Sequence, residues 1–474
     1  MRSIAVIGGG LAGLSAALHL RAAGTRVRLI ERSERVGGVV GSHRVDGHLF
    51  EHGPTTVPAA APTLRRLIDA AGLQERALFS QPVSQRRYVW SRGRLRSLTP
   101  GPLGLLRSDL MSWRGKLRLL AEPFIRRPSE LGDETLAEFF HRRLGAEAVR
   151  AIADPLVCGV FAGRPQELGA DVFPRLQQWE REHGSLFQAM RRNRKRAPTE
   201  DRETPQSAGT SRGLISFPEG LQELTEAVGR QLGDSVELRS EATALHRCSD
   251  PAQGWQVEIC SPDASCSTRC IKVDAVVVAV TAPVAARLLE PSMAAVTDSL
   301  RRIPHAPVAV VGLGYARGAV GHPLDGFGLL CASDSPLTSS GPILGVLFSS
   351  SIFPGHAPEG SVTLAVMLGG TRDPDALSLS DSALVQRAQG ACRELLAIGD
   401  AAQVTLVTRW PLAIPQYLPG HLRQIGELER STHEAGQIRL AGSYLHGVGV
   451  EATAMSGIKA AESLLDRYPS TNEV

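Results

Sequence analysis

Lysine is nearly missing from this 474-residue chain: of 52 basic residues only Lys116, Lys195, Lys272 and Lys459 are lysines. Genome composition explains such a bias without a functional role. Charge of either sign is not in excess, the net being only +4, so a global case for nucleic-acid binding is excluded. The seven cysteines, Cys158, Cys248, Cys260, Cys266, Cys270, Cys331 and Cys392, are odd in number and hold no C-x-x-C pair. That argues against a disulfide framework or a zinc site and suits a reducing compartment. No apolar run approaches the roughly 20 residues that span a bilayer. Also missing are a Ser/His/Asp order, a metal-ligand spacing and paired carboxylates. The first strand begins at Ser3, so no signal peptide is expected. The expected location is cytoplasmic, with any membrane contact made from one side.

What is present begins at once. The length suits two or three domains, and 43% hydrophobic residues with 48 glycines suit an α/β protein. Ile4-Ala5-Val6-Ile7 reads as a strand buried on both faces of a parallel sheet. Gly8, Gly10 and Gly13 follow in the order G-x-G-x-x-G, then Leu11 to Ala22 at helical spacing, then a second strand, Val27 to Ile30, ending at Glu31. The first glycine permits a tight turn, the second lets a pyrophosphate approach bare backbone, and the third lets helix and strand pack closely. The helix N-terminus offers unpaired N–H groups to the phosphates, and Glu31 stands where an acid accepts from ribose hydroxyls. A dinucleotide site is predicted.

Glu31 to Gly38 (ERSERVGG) extends the unit with Arg32 and a second glycine pair, Gly37 and Gly38. This extension resembles the flavoprotein oxidases and desaturases of the amine-oxidase superfamily, and the resemblance implies FAD rather than NAD. The expected cofactor residues are then Gly8, Gly10, Leu11, Ala12, Gly13, Glu31, Arg32, Gly37 and Gly38, joined by Gly53 and Pro54 at the end of a hairpin-like stretch, 41–53. In the superfamily such a stretch passes beside the flavin ring. At the far end, a strand at 438–442 leads into Ser443-Tyr444 and a long helix, adding Gly442, Gly449 and Val450 to the set. There the resemblance implies backbone N–H groups and a helix dipole at the pyrimidine end of the flavin, where negative charge collects on reduction. The family commonly has Asn-Tyr after the strand, so no role is given to the Ser443 side chain.

The fold expected is α/β: a discontinuous Rossmann-like FAD-binding domain (1–60, 213–283 and 425–474), a mixed-sheet substrate domain (61–97 and 284–424), and an inserted helical subdomain (98–212) ending in a mobile loop, 190–212. Residues 63–78 read as an amphipathic helix and 214–232 as a return to helix. Gly312-x-Gly314 lacks the final spacing and a following helix, so 304–315 reads as strand and no second nucleotide site for NADPH is expected.

Three segments carry a narrower resemblance, to oxygen-dependent protoporphyrinogen oxidases. In the first, Ser84 to Trp90, Arg87 precedes an aromatic residue as does the family's propionate-binding arginine; a guanidinium holds a carboxylate through two parallel hydrogen bonds. The second, Gly159-Val160-Phe161-Ala162-Gly163, resembles the family's G-V-F-A-G, where small residues let backbone lie against flat rings. In the third, 324–330, 343–354 and 362–370 resemble strands that wall the substrate pocket, placing Leu330, Leu347 and Met367 at apolar positions. Substrate contacts are therefore expected at Arg87, Gly159, Phe161, Ala162, Leu330, Leu347 and Met367.

The resemblance implies removal of six electrons from protoporphyrinogen IX, with dioxygen reoxidising the flavin and hydrogen peroxide as by-product. A protein base is not compulsory, because the tetrapyrrole can shuffle its own protons through imine and enamine forms. It also implies a homodimer and hand-off of product to a ferrochelatase. Between Gln81 and Ser129, eleven basic residues interleaved with leucines, Trp113 and Phe124 face only Asp109 and Glu122. This stretch suits a peripheral membrane contact or equally an internally packed helical face. Open alternatives are a coproporphyrinogen III oxidase, a flavin amine oxidase, and a non-catalytic binder of lipidated small GTPases on the same fold.

Overall fold

The computed structural model describes residues 2–98, 104, 108–126, 132–196, 213–248, 254–261, 268–334, 337 and 341–466. Its strands, in chain order, begin with β1 (Ser3–Ile7), β2 (Arg26–Ile30), β3 (Ser42–Val45), β4 (His48–Glu51), β5 (Val57–Pro58), β6 (Leu78–Phe79), β7 (Arg87–Ser91) and β8 (Arg94–Leu98). After a helical stretch come β9 (Leu214–Ser216), β10 (Val236–Glu237), β11 (Glu241–Arg247), β12 (Trp255–Cys260), β13 (Thr268–Val273) and β14 (Ala275–Val278). The series ends with β15 (His305–Ala316), β16 (Gly328–Cys331), β17 (Gly345–Leu347), β18 (Ser361–Gly369), β19 (Val404–Pro415) and β20 (Ile438–Leu440).

The first sheet is parallel, in the order β10-β2-β1-β14-β20. Both faces of β1 are covered, which explains why its sequence alternates nothing. Ile4 and Val6 enter a core with the helices Leu11–Ala22, Gln222–Leu232 and Val450–Asp466, while Ala5 and Ile7 enter another with the antiparallel sheet β11-β12-β13. Each fully buried aliphatic side chain here contributes about 1.5–3 kcal/mol. The carboxy-terminal helix lies directly on the first one. A Cβ on Gly457 would fall on the Ala12 carbonyl oxygen, so only glycine permits that approach.

The second sheet is mixed, in the order β19-β15-β18-β17-β16-β7-β8, antiparallel except where β16 meets β7. The β3-β4 hairpin docks the first unit onto it. Its two-residue turn, Asp46-Gly47, has positive φ at both residues (46° and 81°), the geometry that suits strand twist. His48 and Phe50 then lay their rings over Gly314 and Gly312 of β15. That packing, rather than a nucleotide, accounts for the G-x-G of this strand.

Between β8 and β9 the described residues form helices, including Trp113–Leu120, Leu136–Leu144, Asp154–Phe161, Pro174–His183 and Leu186–Arg196. Their core contains fully buried ions: Arg143 bridges Glu122 and Glu180, and Glu122 also accepts from Ser185 Oγ (2.6 Å) and Leu186 N (2.9 Å). Removing one partner would strand a buried charge.

Several local expectations are corrected. The helix expected over 63–78 is only Pro62–Ala70, stopped at Gly72 (φ 68°), and it buries Leu64, Leu67 and Ile68 in the first core rather than against the second sheet. Leu214–Ser216 is strand, not helix, because it is sandwiched between β5 and β6. Residues 349–352 turn into a short helix after β17. Met190 to Arg196, expected in a loop, continue a helix, and 197–212 lie outside the described residues.

Candidate active site

The amino-terminal turn has the crowding its glycines imply. A Cβ on Gly13 would fall on the Gly8 carbonyl oxygen, and Gly8 itself has φ 102°. Gly10, the N-cap of the Leu11–Ala22 helix, has open space where a side chain would be and no side-chain cap, so the first helical N–H groups are available. The second glycine pair is drawn onto the first: Gly37 N donates to Gly9 O (2.8 Å), and a Cβ on Gly38 would stand 3.2 Å from Gly10 Cα. Leu11 and Ala12 are buried beneath the turn, and Arg32 is exposed beside it.

Glu31 is buried and already occupied. Its Oε2 accepts from Gly9 N (2.6 Å) and its Oε1 from both Ser33 N (2.9 Å) and Ser33 Oγ (2.5 Å), leaving a lone pair on Oε2 for a ribose hydroxyl. Arg35 was not singled out from sequence, yet it donates to the carbonyls of Val36, Gly38 and Val40 and so fixes the second glycine pair. Glu51 was missed too. It joins the hairpin to the Gln222–Leu232 helix, accepting from Leu221 N (2.9 Å) and Ser42 Oγ (2.6 Å), and burial pushes its carboxyl up to about 8. Gly53 follows, packed on the Val39 carbonyl, with Pro54 beside it half-buried.

The carboxy-terminal return reaches the same sheet. Ala441 N donates to Val278 O at the end of β14, next to the β1 turn, where Ala279 N donates to Ile7 O (2.8 Å). Gly442 has φ 147°, Gly449 has open space around its Cα, and Val450 starts the last helix. Glu451 in that first turn accepts from Thr63 N (2.9 Å) and Leu64 N (3.0 Å), capping the Pro62–Ala70 helix from a distance. The amino-terminal turn and the carboxy-terminal return therefore lie at the same end of the parallel sheet.

Beside them, strand register puts the second set on one face of the mixed sheet. Leu330 pairs with Val89 and Gly345, Gly345 with Met367, and Met367 with Val310; one step along, Gly328 pairs with Leu347 and Leu347 with Ala365. Paired residues share a face and alternate residues return to it, so Arg87, two before Val89, joins Leu330, Leu347 and Met367. The Asp154–Phe161 helix lies across this face, with Gly159 against the Leu330 side chain. Ala162 ends it in a left-handed conformation (φ 50°, ψ 30°) and packs with Cys158, Leu347 and Met367. Phe161 is the exception among the expected contacts. Its ring is 3% exposed and turned into the helical core, edge-on to Tyr417 and Phe173.

Arg87 stands apart from its neighbours. Arg86 pairs with Asp325, which also accepts from Tyr88 Oη (2.5 Å), but strand alternation sends Arg87 to the other face. Its guanidinium lies 4.7 Å from the centre of the Phe327 ring and has no carboxylate partner among the described residues. Partial desolvation lowers its pKa below the ordinary arginine value without discharging it. Phe327 gave no sequence signal beyond standing between two glycines.

A family model described as flavin containing amine oxidoreductase matches residues 11–465. The human protein named protoporphyrinogen oxidase is 33% identical over 498 residues, covering 99% of this chain and 100% of that protein. A protein of Propionibacterium freudenreichii named coproporphyrinogen III oxidase is 30% identical over 501 residues, covering 98% of this chain and 90% of its own. The crystal structure of a candidate protoporphyrinogen oxidase from Exiguobacterium superposes with a TM-score of 0.80 at 22% identity, over 98% of this chain and 99% of that one.

Proposed function

The chain belongs to the flavin-containing amine oxidoreductases, and from that premise we propose that it catalyses FAD-dependent oxidation of protoporphyrinogen IX to protoporphyrin IX with dioxygen. One observation carries the substrate: a cation without a carboxylate partner among the described residues shares an apolar sheet face with Leu330, Leu347 and Met367, opposite a glycine-bearing helix. An oily, flat ligand with an acidic edge matches that face.

FAD fits the site. The Gly8–Gly13 turn would hold the pyrophosphate on backbone N–H groups, Glu31 would hold the ribose, and the start of the last helix would meet the flavin's electron-rich end. When bound, the flavin supplies the hydride-accepting and dioxygen-reducing chemistry. The chain's own residues bind and exclude. Arg87 grips a propionate bidentately while Phe327 supports its guanidinium, and Leu330, Leu347, Met367 and Ala162 keep water from the ring. No acid or base other than Arg87 occurs among these slot residues, so protons move on the substrate's own nitrogen and carbon atoms.

In this reading residues 1–60, 213–283 and 425–474, with the Pro62–Ala70 helix, form the FAD-binding unit, the mixed sheet forms the substrate unit, and 98–212 form the helical insert. The insert exposes Trp113 (67%), Leu117 (55%), Leu120 (50%) and Phe124 (86%) next to Arg114 and Lys116, which supports one-sided contact with an anionic bilayer. No helix among the described residues is long and apolar enough to cross a membrane. Cytoplasmic location, a homodimer and delivery of product to a ferrochelatase belong to the same proposal.

A second reading, coproporphyrinogen III oxidation, is favoured by the full-length similarity to a protein of that name. Four propionates would need several free cations; by register Arg94 and Arg96 share the face of Arg87, but Arg96 is taken by Asp109. The amine-oxidase reading is weakened by its lysines: Lys272 lies in β13 opposite Gln256 and Lys459 within the last helix, neither on the slot face. Incubating purified protein aerobically with protoporphyrinogen tests the proposal. Porphyrin fluorescence should rise with about three peroxides per porphyrin, on a stoichiometric FAD; absence of FAD would favour the GTPase-binder alternative instead.

A further inference from the structure

Two walls of the proposed slot are held by one short segment. Gln416, Tyr417 and His421 are each 3% exposed, between the end of β19 and the His421–Glu434 helix, and none of them drew notice in the sequence. The segment is pinned to the rest of the protein by Gln416 N donating to Pro304 O (2.8 Å) and Gly169 N donating to Tyr417 O (2.8 Å). It bends at Gly420, whose φ of 84° favours glycine.

Toward the substrate side, Gln416 Nε2 donates to Phe161 O (2.8 Å), the last carbonyl of the helix that carries Gly159, and the Tyr417 ring meets Phe161 edge-on at 5.7 Å. Toward the cofactor side, Tyr417 Oη donates to Ser443 O, and His421 Nε2 bonds Tyr444 O (2.9 Å). The two rings stack 3.9 Å apart at 10°, so each holds the other in place. The 443–446 turn needs such bracing. It hangs between Gly442 (φ 147°) and Gly447 (φ 157°), conformations open mainly to glycine. Within it a long bond runs from Leu445 N to Gly442 O (3.4 Å), and His421 also reaches the Leu445 backbone. The carbonyls of this turn, and not the Ser443 side chain, are what the protein uses.

We propose that Gln416, Tyr417 and His421 are positioning residues that set the distance between the ring-facing helix and the flavin-facing turn, and thereby the width of the slot. The inference rests on the function proposed above. Its energetic lever is geometric: reacting atoms must approach to about 3–3.5 Å, and a misplacement near 1 Å can cost on the order of 100-fold in rate.

The test uses the full-length, FAD-loaded protein and the variants Tyr417→Phe and His421→Gln. Tyr417→Phe keeps both ring contacts and deletes only the hydroxyl's bonds to the backbone at Ser443 and Gly447. Three quantities are read: the flavin midpoint potential, the FAD release rate, and anaerobic flavin reduction by protoporphyrinogen, split into a rate constant and a dissociation constant. Expected for Tyr417→Phe is a reduction rate constant down about tenfold, with substrate affinity within about threefold, and a shifted potential or FAD release at least about tenfold faster. A variant that cannot retain FAD meets the same expectation. Unchanged potential and release in both variants would overturn the proposal. Those two readings need no porphyrinogen, so they decide the matter even if the wild-type protein fails to oxidise it.

Discussion

Replacing Arg87 with glutamine gives a prediction whose size follows from the geometry. Strand register puts Arg87 on the slot face of β7, where it lacks a carboxylate partner among the described residues and lies over the Phe327 ring at the exposed rim, so a bound carboxylate would meet it through direct hydrogen bonds. A hydrogen-bonded charge of this kind contributes about 1.5–3 kcal/mol, which corresponds to about 10- to 150-fold in affinity. The loss should appear in KM or in the dissociation constant, because the anchor lies far from the bonds that break and grips ground state and transition state alike. Arg87→Lys should recover only part of it, since an ammonium keeps the charge and loses the fork. Steady-state kinetics on protoporphyrinogen, with single-turnover measurement of binding, gives both numbers. If Arg87→Gln leaves KM unchanged, or lowers kcat alone, the propionate assignment is wrong and the slot must take its ligand in another orientation.

Other expectations concern the frame around the slot. Gly457→Ala should loosen the last helix from the first, since its new Cβ would meet the Ala12 carbonyl; a destabilisation of roughly 1–3 kcal/mol and faster FAD release are expected, read by thermal melts with and without added FAD. Glu51 has its carboxyl raised from 4.5 to about 8 by burial, so the folded state binds its proton more tightly than the unfolded one, and this contribution to stability is complete below about 4.5 and fades as pH rises to about 8. Glu51→Gln should therefore flatten the fall in melting temperature between pH 5 and pH 8 and gain on the wild type above it; parallel curves would show that Glu51 does not titrate there. Trp113→Ser with Phe124→Ser should cut co-sedimentation with anionic vesicles several-fold without changing the melting temperature, because both side chains are exposed. Equal sedimentation would leave the helical insert without a membrane role.

How much of this was legible beforehand depends on the range of the interaction. The two glycine turns were readable because Gly13 answers to the Gly8 carbonyl and Gly37 to the Val40 carbonyl, a few residues away, and the β3-β4 hairpin because Asp46-Gly47 is a local turn signal. Buried strands such as β1 and β14 were readable as uninterrupted apolar runs. Residues that work across the fold gave no such signal. Glu51, Glu451 and the Gln416–His421 segment act on carbonyls and N–H groups that come near only after the sheets assemble. The same holds for Gly312 and Gly314, whose missing side chains make room for Phe50 and His48 more than 250 positions earlier in the chain. Where local pattern misled, tertiary context had overridden it: Leu214–Ser216 became a strand because β5 and β6 flank it, and Phe161 turned from the slot because its helix ends against the helical core.

The central claim is that the two ends of the chain hold one flavin beside an apolar face with a single cationic anchor. Anaerobic stopped-flow mixing of the FAD-loaded protein with protoporphyrinogen IX and, separately, with coproporphyrinogen III tests it most directly. Flavin absorbance should bleach rapidly with the first and at least about tenfold more slowly with the second; faster bleaching by coproporphyrinogen, or none by either, would refute the assignment.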